Sequence, residues 1–98
     1  MDVYSALDGQ VFVWDSDKAD SNAIRHGVRF EQAREVFLDQ LASYEDASPD
    51  EEARQACIGL TAGYRLLYVV HVVWQGDVLR LISARLAEPA ERRRYEND

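Results

Sequence analysis

Two arginines interrupt an apolar segment near the end of the chain, Val78-Leu79-Arg80-Leu81-Ile82-Ser83-Ala84-Arg85. Its β-branched and aliphatic residues predict a well-buried strand. Such a strand holds a guanidinium group only where an anion satisfies it, and that anion is either a protein carboxylate or a ligand phosphate. Because Arg80 and Arg85 are five residues apart, the two-residue period of a strand predicts that they point to opposite faces of the sheet.

The charge of the chain is unevenly distributed along its 98 residues, which predict a single domain over 1–98. The formal net charge is −7. Residues 1–53 carry four basic and thirteen acidic side chains, whereas residues 54–98 carry seven basic and five acidic ones. This balance argues against a generic nucleic-acid binder. Positive potential for a phosphate is confined to the second half and to the neighbourhood of residues 25–34, and the acidic first half could attract a basic partner protein.

Cysteine content and hydropathy restrict the class of protein. Cys57 is the only cysteine, which excludes an intramolecular disulfide, and its apolar neighbours predict a buried thiol. No carboxylate–histidine spacing typical of a metal site is present, so no metal is predicted. No cofactor is predicted either. The N-terminus does not resemble a signal peptide, and the longest apolar run, residues 66–74, is too short to span a bilayer. These features predict a cytoplasmic protein with no membrane contact.

Helix signals follow a short first strand at residues 11–14. Asp15 or Ser16 is the predicted N-cap of a helix that runs to about His26, and Gly27 supplies a left-handed stop. A second set of apolar residues recurs at helical spacing and predicts a helix ending near residue 39: Phe30, Ala33, Val36 and Phe37.

Four further strands and a last helix complete the predicted domain. The strands are expected at residues 41–45, 54–61, 65–74 and 78–85, with an acidic loop at 46–52 and a two-residue turn at Gly76-Asp77. Pro89 suits the first position of the C-terminal helix. The predicted order is βααββββα, an α+β domain in which an N-terminal helical hairpin and a C-terminal helix pack on an antiparallel β-sheet.

Short motifs recur along this framework in a specific order. They are Trp14-Asp15, Lys18, Asn22, Arg25-His26-Gly27-Val28, Phe30-Glu31, Ala33, Val36-Phe37, Asp39, Glu52-Ala53-Arg54, Ile58-Gly59, Arg65, Val70-His71, Arg80 to Arg85, Ala87, Glu91 and Arg92 to Tyr95. Collinear from about Phe12 to Tyr95, they resemble the BrnT family, the toxins of BrnT–BrnA type II toxin–antitoxin modules. The resemblance implies a RelE-like fold and a metal-independent endoribonuclease that cleaves RNA and inhibits translation. It also implies a BrnA-type ribbon-helix-helix antitoxin that inhibits the toxin. The toxin is then expected to contact operator DNA only through this antitoxin.

The resemblance also implies which polar residues are catalytic. Carried over to this sequence, they are Arg25, His26, Glu52, Arg65, Arg80 and Arg85, with Arg54 beside Glu52. The sequence differs from the family pattern at three positions: Arg25 replaces a lysine, Arg29 a small hydroxylic residue, and Leu86 a second basic residue after the strand motif. Arginine, unlike lysine, does not lose its proton in proteins. A second hypothesis therefore stays open, a catalytically weakened protein-binding module that binds the antitoxin as co-repressor.

Metal-independent RNA cleavage needs three kinds of group: a base for the 2′-hydroxyl, an acid for the departing 5′-oxygen, and cations for the charge that builds on phosphorus. Glu52 or His71 is the candidate base, His26 the candidate acid, and the arginines the candidate phosphate ligands. Tyr64, Tyr68 and Trp74 are candidates for stacking on a nucleobase. Each group also has a structural alternative, because Arg25 and His26 suit a helix C-terminus, His71 suits a core, and an arginine can pair with a carboxylate.

Overall fold

The structure is a computed structural model that describes residues 1–49 and 52–97. The strands are β1 (Asp2–Leu7), β2 (Gln10–Asp15), β3 (Ser43–Asp46), β4 (Gln55–Leu60), β5 (Leu66–Val73) and β6 (Leu79–Leu86). The helices are α1 (Ser16–His26), α2 (Phe30–Ala33), a 3-10 helix (Arg34–Leu38) and α3 (Pro89–Asn97). The α+β class, the helix that ends at His26 and the helix that begins at Pro89 are confirmed. Part of the predicted acidic loop, residues 50 and 51, lies outside the described residues.

The strands form one mixed sheet in the order β1-β2-β6-β5-β4-β3. Neighbouring strands are antiparallel except β2 and β6, which are parallel where Phe12 is opposite Leu79 and Val13 is opposite Arg80. The chain therefore begins with a β-hairpin rather than with a single strand and a helical hairpin. The predicted antiparallel, RelE-like order βααββββα is wrong.

The β1–β2 hairpin has a local cause in its turn. Asp-Gly between two alternating segments favours a two-residue turn because both central residues need positive φ. The φ angles are 51° at Asp8 and 83° at Gly9. Val3 and Leu7 pack against the core from β1, whereas Tyr4 is exposed. β1 is a half-buried edge strand of mixed composition without an apolar run, and for this reason it was not predicted as a strand.

The predicted second helix is only partly α-helical. α2 ends after four residues and tightens into the 3-10 helix, whose Val36 lies against Gly59 of β4. A Cβ atom at Gly59 would lie 2.9 Å from the carbonyl oxygen of Val36, so this close approach requires a glycine. The segment thereby packs its apolar side directly onto the sheet.

The two faces of the sheet have separate buried residues. α1, α2 and the 3-10 helix cover one face, called here the helix face. Its core consists of Phe12, Trp14, Val28, Phe30, Ala33, Val36, Cys57, Leu67, Val69, Leu81 and Ala84. The other face, called here the α3 face, carries α3 beside β4 and buries Val13, Ala56, Ile58, Leu66 and Val72. Among the described residues, no helix is long and apolar enough to cross a membrane.

A β-bulge in β6 shifts the pairing of the two central strands. Val70 of β5 is opposite Ser83, but the next residue, His71, is opposite Leu81. Ile82 is therefore an extra residue in β6, and the alternation of side chains changes phase at this point.

The bulge decides where the two strand arginines lie. Arg80 is opposite Val72 and Arg85 is opposite Tyr68, and Val72 and Tyr68 are four residues apart on the regular strand β5. Because cross-strand partners share a face, both arginines lie on the α3 face. The prediction that they point to opposite faces is wrong, because the period-2 rule holds only for an unbulged strand.

The connection between β5 and β6 is also longer than predicted. Val73 is opposite Leu79, and the Trp74 N–H donates to the Val78 carbonyl oxygen at 2.7 Å. The prediction of a two-residue turn at Gly76-Asp77 is therefore wrong.

Candidate functional site

The structure distributes the predicted catalytic residues over three places: the end of α1, the α3 face, and the segment before β4. Arg25, His26 and Arg65 lie at the end of α1. Arg80 and Arg85 lie on the α3 face, and Glu52 and Arg54 lie before β4. Gln55, next to Arg54, is opposite His71 near one end of β5, whereas Arg65 precedes the other end. At about 3.4 Å per residue these ends are roughly 20 Å apart, so Arg65 and the Glu52–Arg54 segment cannot contact the same phosphate.

Helix α1 places Arg25 and His26 in its last turn. The Asp15 carboxylate accepts a hydrogen bond from the Lys18 N–H at 3.1 Å and caps the start of the helix. At the other end Gly27 has φ 68°, and its N–H donates to the Ala23 carbonyl oxygen at 2.9 Å. The predicted caps are confirmed, and they bring the two basic side chains to the end of the helix.

Asn22 joins the middle of α1 to the free edge of β6. Its side-chain amide donates to the carbonyl oxygens of Val28 and Ala84, both at 2.9 Å. Its side-chain oxygen accepts from the Ala84 N–H at 3.0 Å. Asn22 therefore takes the place of a neighbouring strand, because it satisfies both backbone groups of Ala84 beyond the short β2–β6 pairing. It fixes the distance between α1 and β6.

A cleft of about 300 Å³ lies between α1 and β6. This α1–β6 cleft is lined by Lys18, Ser21, Asn22, Arg25, His26, Ile82 and Ser83. Within residues 1–49 and 52–97, the side chains of Lys18, Arg25 and His26 form no ion pair with a carboxylate. The cleft therefore combines a lysine and an arginine with an imidazole, on a chain whose net charge is −7.

Arg65 does not line this cleft but reaches the C-terminal end of α1, next to the cleft residue His26. Its Nη1 donates to Gln32 Oε1 at 2.7 Å, and its Nη2 donates to the carbonyl oxygen of Gly27, which follows His26, at 3.4 Å. Neither acceptor is charged, so the guanidinium group is held in place without being neutralised. Leu86, where the resemblance implies a basic residue, is opposite Leu67 and lies diagonally from Arg65.

Arg80 is neutralised by the first strand. Its Nη2 donates to the Asp2 carboxylate at 2.8 Å, and its guanidinium carbon lies 4.5 Å from the centre of the Trp74 ring. The side chain is only 17% exposed. Its buried Nε has no hydrogen-bond partner among the described residues. The anion that satisfies this arginine is therefore a protein carboxylate.

Arg85 is neutralised by α3. Its Nη1 and Nη2 donate to the two carboxylate oxygens of Glu91, each at 2.8 Å, in the two-pronged geometry that makes such pairs strong. Glu91 is nearly buried and also accepts from the Glu88 N–H at 2.8 Å. Burial would raise the pKa of Glu91, but its hydrogen bonds with Arg85 and Glu88 outweigh burial and lower it. Tyr68 lies against the other side of the guanidinium group, 4.4 Å from ring centre to the central carbon.

Glu52 and Arg54 form an ion pair of 3.0 Å at the surface. The Nε of Arg54 is buried without a partner among the described residues. Because the pair lies at the far end of β5 from Arg65, the Glu52 carboxylate cannot act as the base for a phosphate held in the α1–β6 cleft.

His71 belongs to the core. It is 3% exposed, and its ring lies edge-on to Phe37 at 4.9 Å and to Tyr44 at 6.2 Å between centroids. Its Nδ1 is 3.2 Å from the Val69 carbonyl oxygen. Burial lowers the pKa of His71, which favours the neutral ring. His71 also lines a second cleft together with Arg54 and Gln55. Its burial fits the structural alternative, and its place at the far end of β5 from Arg65 does not fit a base for a phosphate in the α1–β6 cleft.

Among the lining residues that were not predicted as site residues, Lys18 and Asn22 carry a signal in the sequence. Lys18, Asn22 and Arg25 have helical spacing and so lie on one face of α1, which is a signal for Lys18. Asparagine in the interior of a helix is unfavourable and indicates a specific contact, which is a signal for Asn22. In the described ranges, no group of three or more His, Cys, Asp or Glu side chains is placed to hold one metal ion.

Comparison with known proteins agrees with the motif-based resemblance. A family model described as "Ribonuclease toxin, BrnT, of type II toxin-antitoxin system" matches residues 14–91. The crystal structure of the Brucella abortus ribonuclease toxin BrnT is similar, with a TM-score of 0.63 and 29% sequence identity over 76% of this chain and 92% of that one. No curated protein sequence matches the chain. The matched segment begins inside β2, so β1 lies outside it. The chain belongs to the BrnT family of ribonuclease toxins of type II toxin–antitoxin systems.

Proposed function

We infer that this protein is an endoribonuclease toxin that cleaves RNA without a metal ion and binds the reacting phosphate at the α1–β6 cleft. The observation that carries this proposal is the group of basic side chains that no carboxylate neutralises: Lys18, Arg25, His26 and Arg65. Unneutralised cations attract the phosphates of a nucleic acid, and this attraction supplies much of the affinity. The arginines of the α3 face already have carboxylate partners and offer less to a phosphate.

The cleft supplies the cations and the acid for cleavage by the 2′-hydroxyl. In that reaction the 2′-hydroxyl gives its proton to a water molecule and its oxygen bonds to phosphorus. The bond from phosphorus to the 5′-oxygen breaks, and the products are a cyclic phosphate and a 5′-hydroxyl. Arg25 and Arg65 neutralise charge on the non-bridging oxygens, where guanidinium groups bind well. His26 gives a proton to the departing oxygen, because an imidazole can exchange a proton near neutral pH. Arg25, unlike the lysine it replaces, acts only as a cation.

Membership in a toxin–antitoxin family implies an antitoxin partner, and we propose a BrnA-type ribbon-helix-helix protein that covers the cleft. Operator DNA is then bound by the antitoxin, and both proteins act in the cytoplasm, where translation takes place. Supporting this proposal, the cleft is open and its cations are available to acidic side chains of a partner as well as to RNA.

Cleavage of a long RNA by purified protein in the presence of a chelator tests the enzymatic proposal. We expect wild-type protein to cut and the Arg25→Ala/Arg65→Ala variant to lose at least about 100-fold in rate, since each charge-stabilising group typically contributes that much. Arg92→Ala/Arg93→Ala is the matched control, because it removes the same charge from the exposed side of α3. Equal loss in the control, or loss of wild-type activity in chelator, contradicts the proposal.

A second candidate function rests on the ion pairs of the other arginines. Arg54, Arg80 and Arg85 are all paired with carboxylates, as expected for a protein-binding module that has lost cleavage and acts with its antitoxin as co-repressor. This candidate predicts that folded wild-type protein binds the antitoxin and increases its affinity for operator DNA, yet leaves RNA intact both alone and with ribosomes. If wild-type protein cuts RNA and the Arg25→Ala/Arg65→Ala variant does not, this second candidate function is ruled out.

A further inference from the structure

The turn between β4 and β5 holds a tyrosine in an unusual backbone conformation. Tyr64 has φ 64°, in the left-handed region that bulky residues rarely adopt, although a glycine, Gly63, stands directly before it. The Tyr64 N–H donates to the Thr61 carbonyl oxygen at 3.0 Å, and the Thr61 N–H donates to the Arg65 carbonyl oxygen at 2.9 Å. Thr61 Oγ1 also accepts from the Arg65 N–H at 3.1 Å. These three bonds fix the conformation of the turn.

Folding does not explain why this position carries an aromatic ring. Tyr64 is 84% exposed. In the described part of the chain its ring has no aromatic or cation–π partner, and its hydroxyl has no hydrogen bond. Glycine or asparagine would adopt the same backbone with less strain. A strained residue whose side chain contributes nothing to the fold points to a function outside the fold.

The position of Tyr64 connects it with the cleft. The next residue, Arg65, is held by Gln32 and by the carbonyl oxygen of Gly27, and Gly27 follows His26. Successive Cα atoms are about 3.8 Å apart, so the ring is anchored one residue from the guanidinium group that we assign to the reacting phosphate. In single-stranded RNA a base is joined to every phosphate through one sugar, so a ligand at Arg65 brings a base into this neighbourhood.

Other aromatic side chains are less available. The guanidinium group of Arg80 lies over Trp74, and that of Arg85 lies over Tyr68. Among the three stacking candidates of the sequence, only Tyr64 has a ring free of an arginine. We propose that Tyr64 is a stacking platform for an unpaired base of single-stranded RNA, next to the phosphate bound by Arg65; this proposal rests on the proposed ribonuclease function.

Binding of a single-stranded 2′-O-methyl RNA oligonucleotide, which has no free 2′-hydroxyl and cannot be cut, tests the platform directly. We expect Tyr64→Asn to weaken binding about 5- to 100-fold, the range found for removing one stacked aromatic side chain. Tyr64→Phe keeps the ring and should bind like wild type. Tyr64→Asn should also raise the melting temperature, because asparagine tolerates positive φ, so weaker binding cannot then be ascribed to unfolding.

The control variant is Tyr4→Asn, which removes another exposed tyrosine, on β1 and away from the cleft. If Tyr64→Asn binds the oligonucleotide like wild type while Arg65→Ala abolishes binding, the proposal that Tyr64 stacks on a base is overturned. The ribonuclease proposal is unaffected by that result. If wild-type protein neither binds nor cuts RNA, both proposals fail together. Equal affinity of wild type for the single strand and for a duplex also overturns the platform, since paired bases cannot stack on a side chain.

Discussion

Arg65 directly precedes β5 and Arg85 lies on the neighbouring strand β6, near the same end of the sheet, but their guanidinium groups have different partners. Arg65 donates to an amide oxygen and to a backbone carbonyl oxygen. Arg85 donates twice to a nearly buried carboxylate. The guanidinium group of Arg65 is therefore held in position with its charge available to a ligand. That of Arg85 is neutralised and serves as a structural contact. What decides between these outcomes is whether another segment brings a carboxylate.

The neutralising carboxylates come from the two ends of the chain. Asp2 reaches Arg80 from β1, and Glu91 reaches Arg85 from α3. Asp2 lies outside the segment matched by the family model, and Glu91 is its last residue. The cleft, in contrast, is built from α1 and β6 inside that segment. The terminal elements thus convert Arg80 and Arg85 into structural contacts, whereas the cations of the cleft have no carboxylate partner among the described residues.

The largest expected effect separates the two regions by activity. Arg65→Ala should lower the initial rate of RNA cleavage by about 10²- to 10³-fold, because it removes a positioned charge from the phosphate. Arg80→Ala should lower it by less than about fivefold, because this arginine already has a carboxylate partner. Initial rates on one RNA, with circular dichroism to verify folding, make the comparison. A loss with Arg80→Ala as large as that with Arg65→Ala would show that the division is wrong.

The next effect separates the regions by stability. Arg85→Ala leaves the nearly buried Glu91 without a cation and should lower the free energy of unfolding by about 2–4 kcal/mol. Arg25→Ala, at an exposed position, should change it by less than about 0.5 kcal/mol. Urea denaturation at neutral pH measures both. Equal stability of the two variants would mean that the Arg85–Glu91 pair contributes nothing to the fold.

The pH dependence of the same variant checks the cause. Because the pKa of Glu91 is lowered in the folded protein, its stabilising contribution is complete above the pKa of a glutamate in the unfolded chain. The contribution is lost as the pH falls through the lower pKa of the folded state. The difference in stability between wild type and Arg85→Ala should therefore shrink in acid. A constant difference from neutral pH to below pH about 4 would argue for lost packing on Tyr68 instead.

Local signals predicted the cleft better than the α3 face. The N-cap at Asp15 and the stop at Gly27 are read from neighbouring residues, and together they place Arg25 and His26 correctly at the end of α1. The extra residue Ile82 in β6 has no comparable local signal, because bulges depend on how two strands fit. Because the bulge was not predicted, Arg80 and Arg85 were expected on opposite faces of the sheet, whereas they share one face.

Long-range contacts were the other gap. The Asp2–Arg80 pair joins residues 78 positions apart, and local sequence patterns do not reveal so distant a pair. Glu52 was a reasonable candidate base by residue type, yet its position before β4 places it at the far end of β5 from the cleft. Residue type predicted the available chemistry, and the topology decided which groups meet.

A smaller effect should follow from adding a cation beside Arg65, next to the cleft. Leu86 is 53% exposed and lies diagonally from Arg65 on the same face. Leu86→Arg should tighten RNA binding several-fold and steepen the dependence of affinity on salt by about one phosphate contact. The matched control is Leu41→Arg, which adds the same charge at another exposed leucine. Equal tightening by both variants would indicate a general effect of net charge rather than a contact in the cleft.

The smallest expected effect concerns the carboxylate that neutralises Arg80. Asp2→Asn keeps the shape of the side chain but removes its charge, so the Arg80 guanidinium becomes more available to a phosphate on the α3 face. We expect RNA binding to tighten by about two- to fivefold, and because the Asp2 end of the pair is solvent-exposed, the loss of stability should stay at about 1 kcal/mol. Asp8→Asn is the matched control, because Asp8 lies in the turn of the same hairpin, where asparagine also tolerates φ 51°. Tighter binding by Asp2→Asn but not by Asp8→Asn would show that the ion pair with β1 keeps Arg80 from binding RNA. Equally tighter binding by both variants would mean that the effect is one of net charge. A gain in affinity above about 100-fold would identify the α3 face as the main RNA-binding surface and overturn the assignment of that role to the α1–β6 cleft.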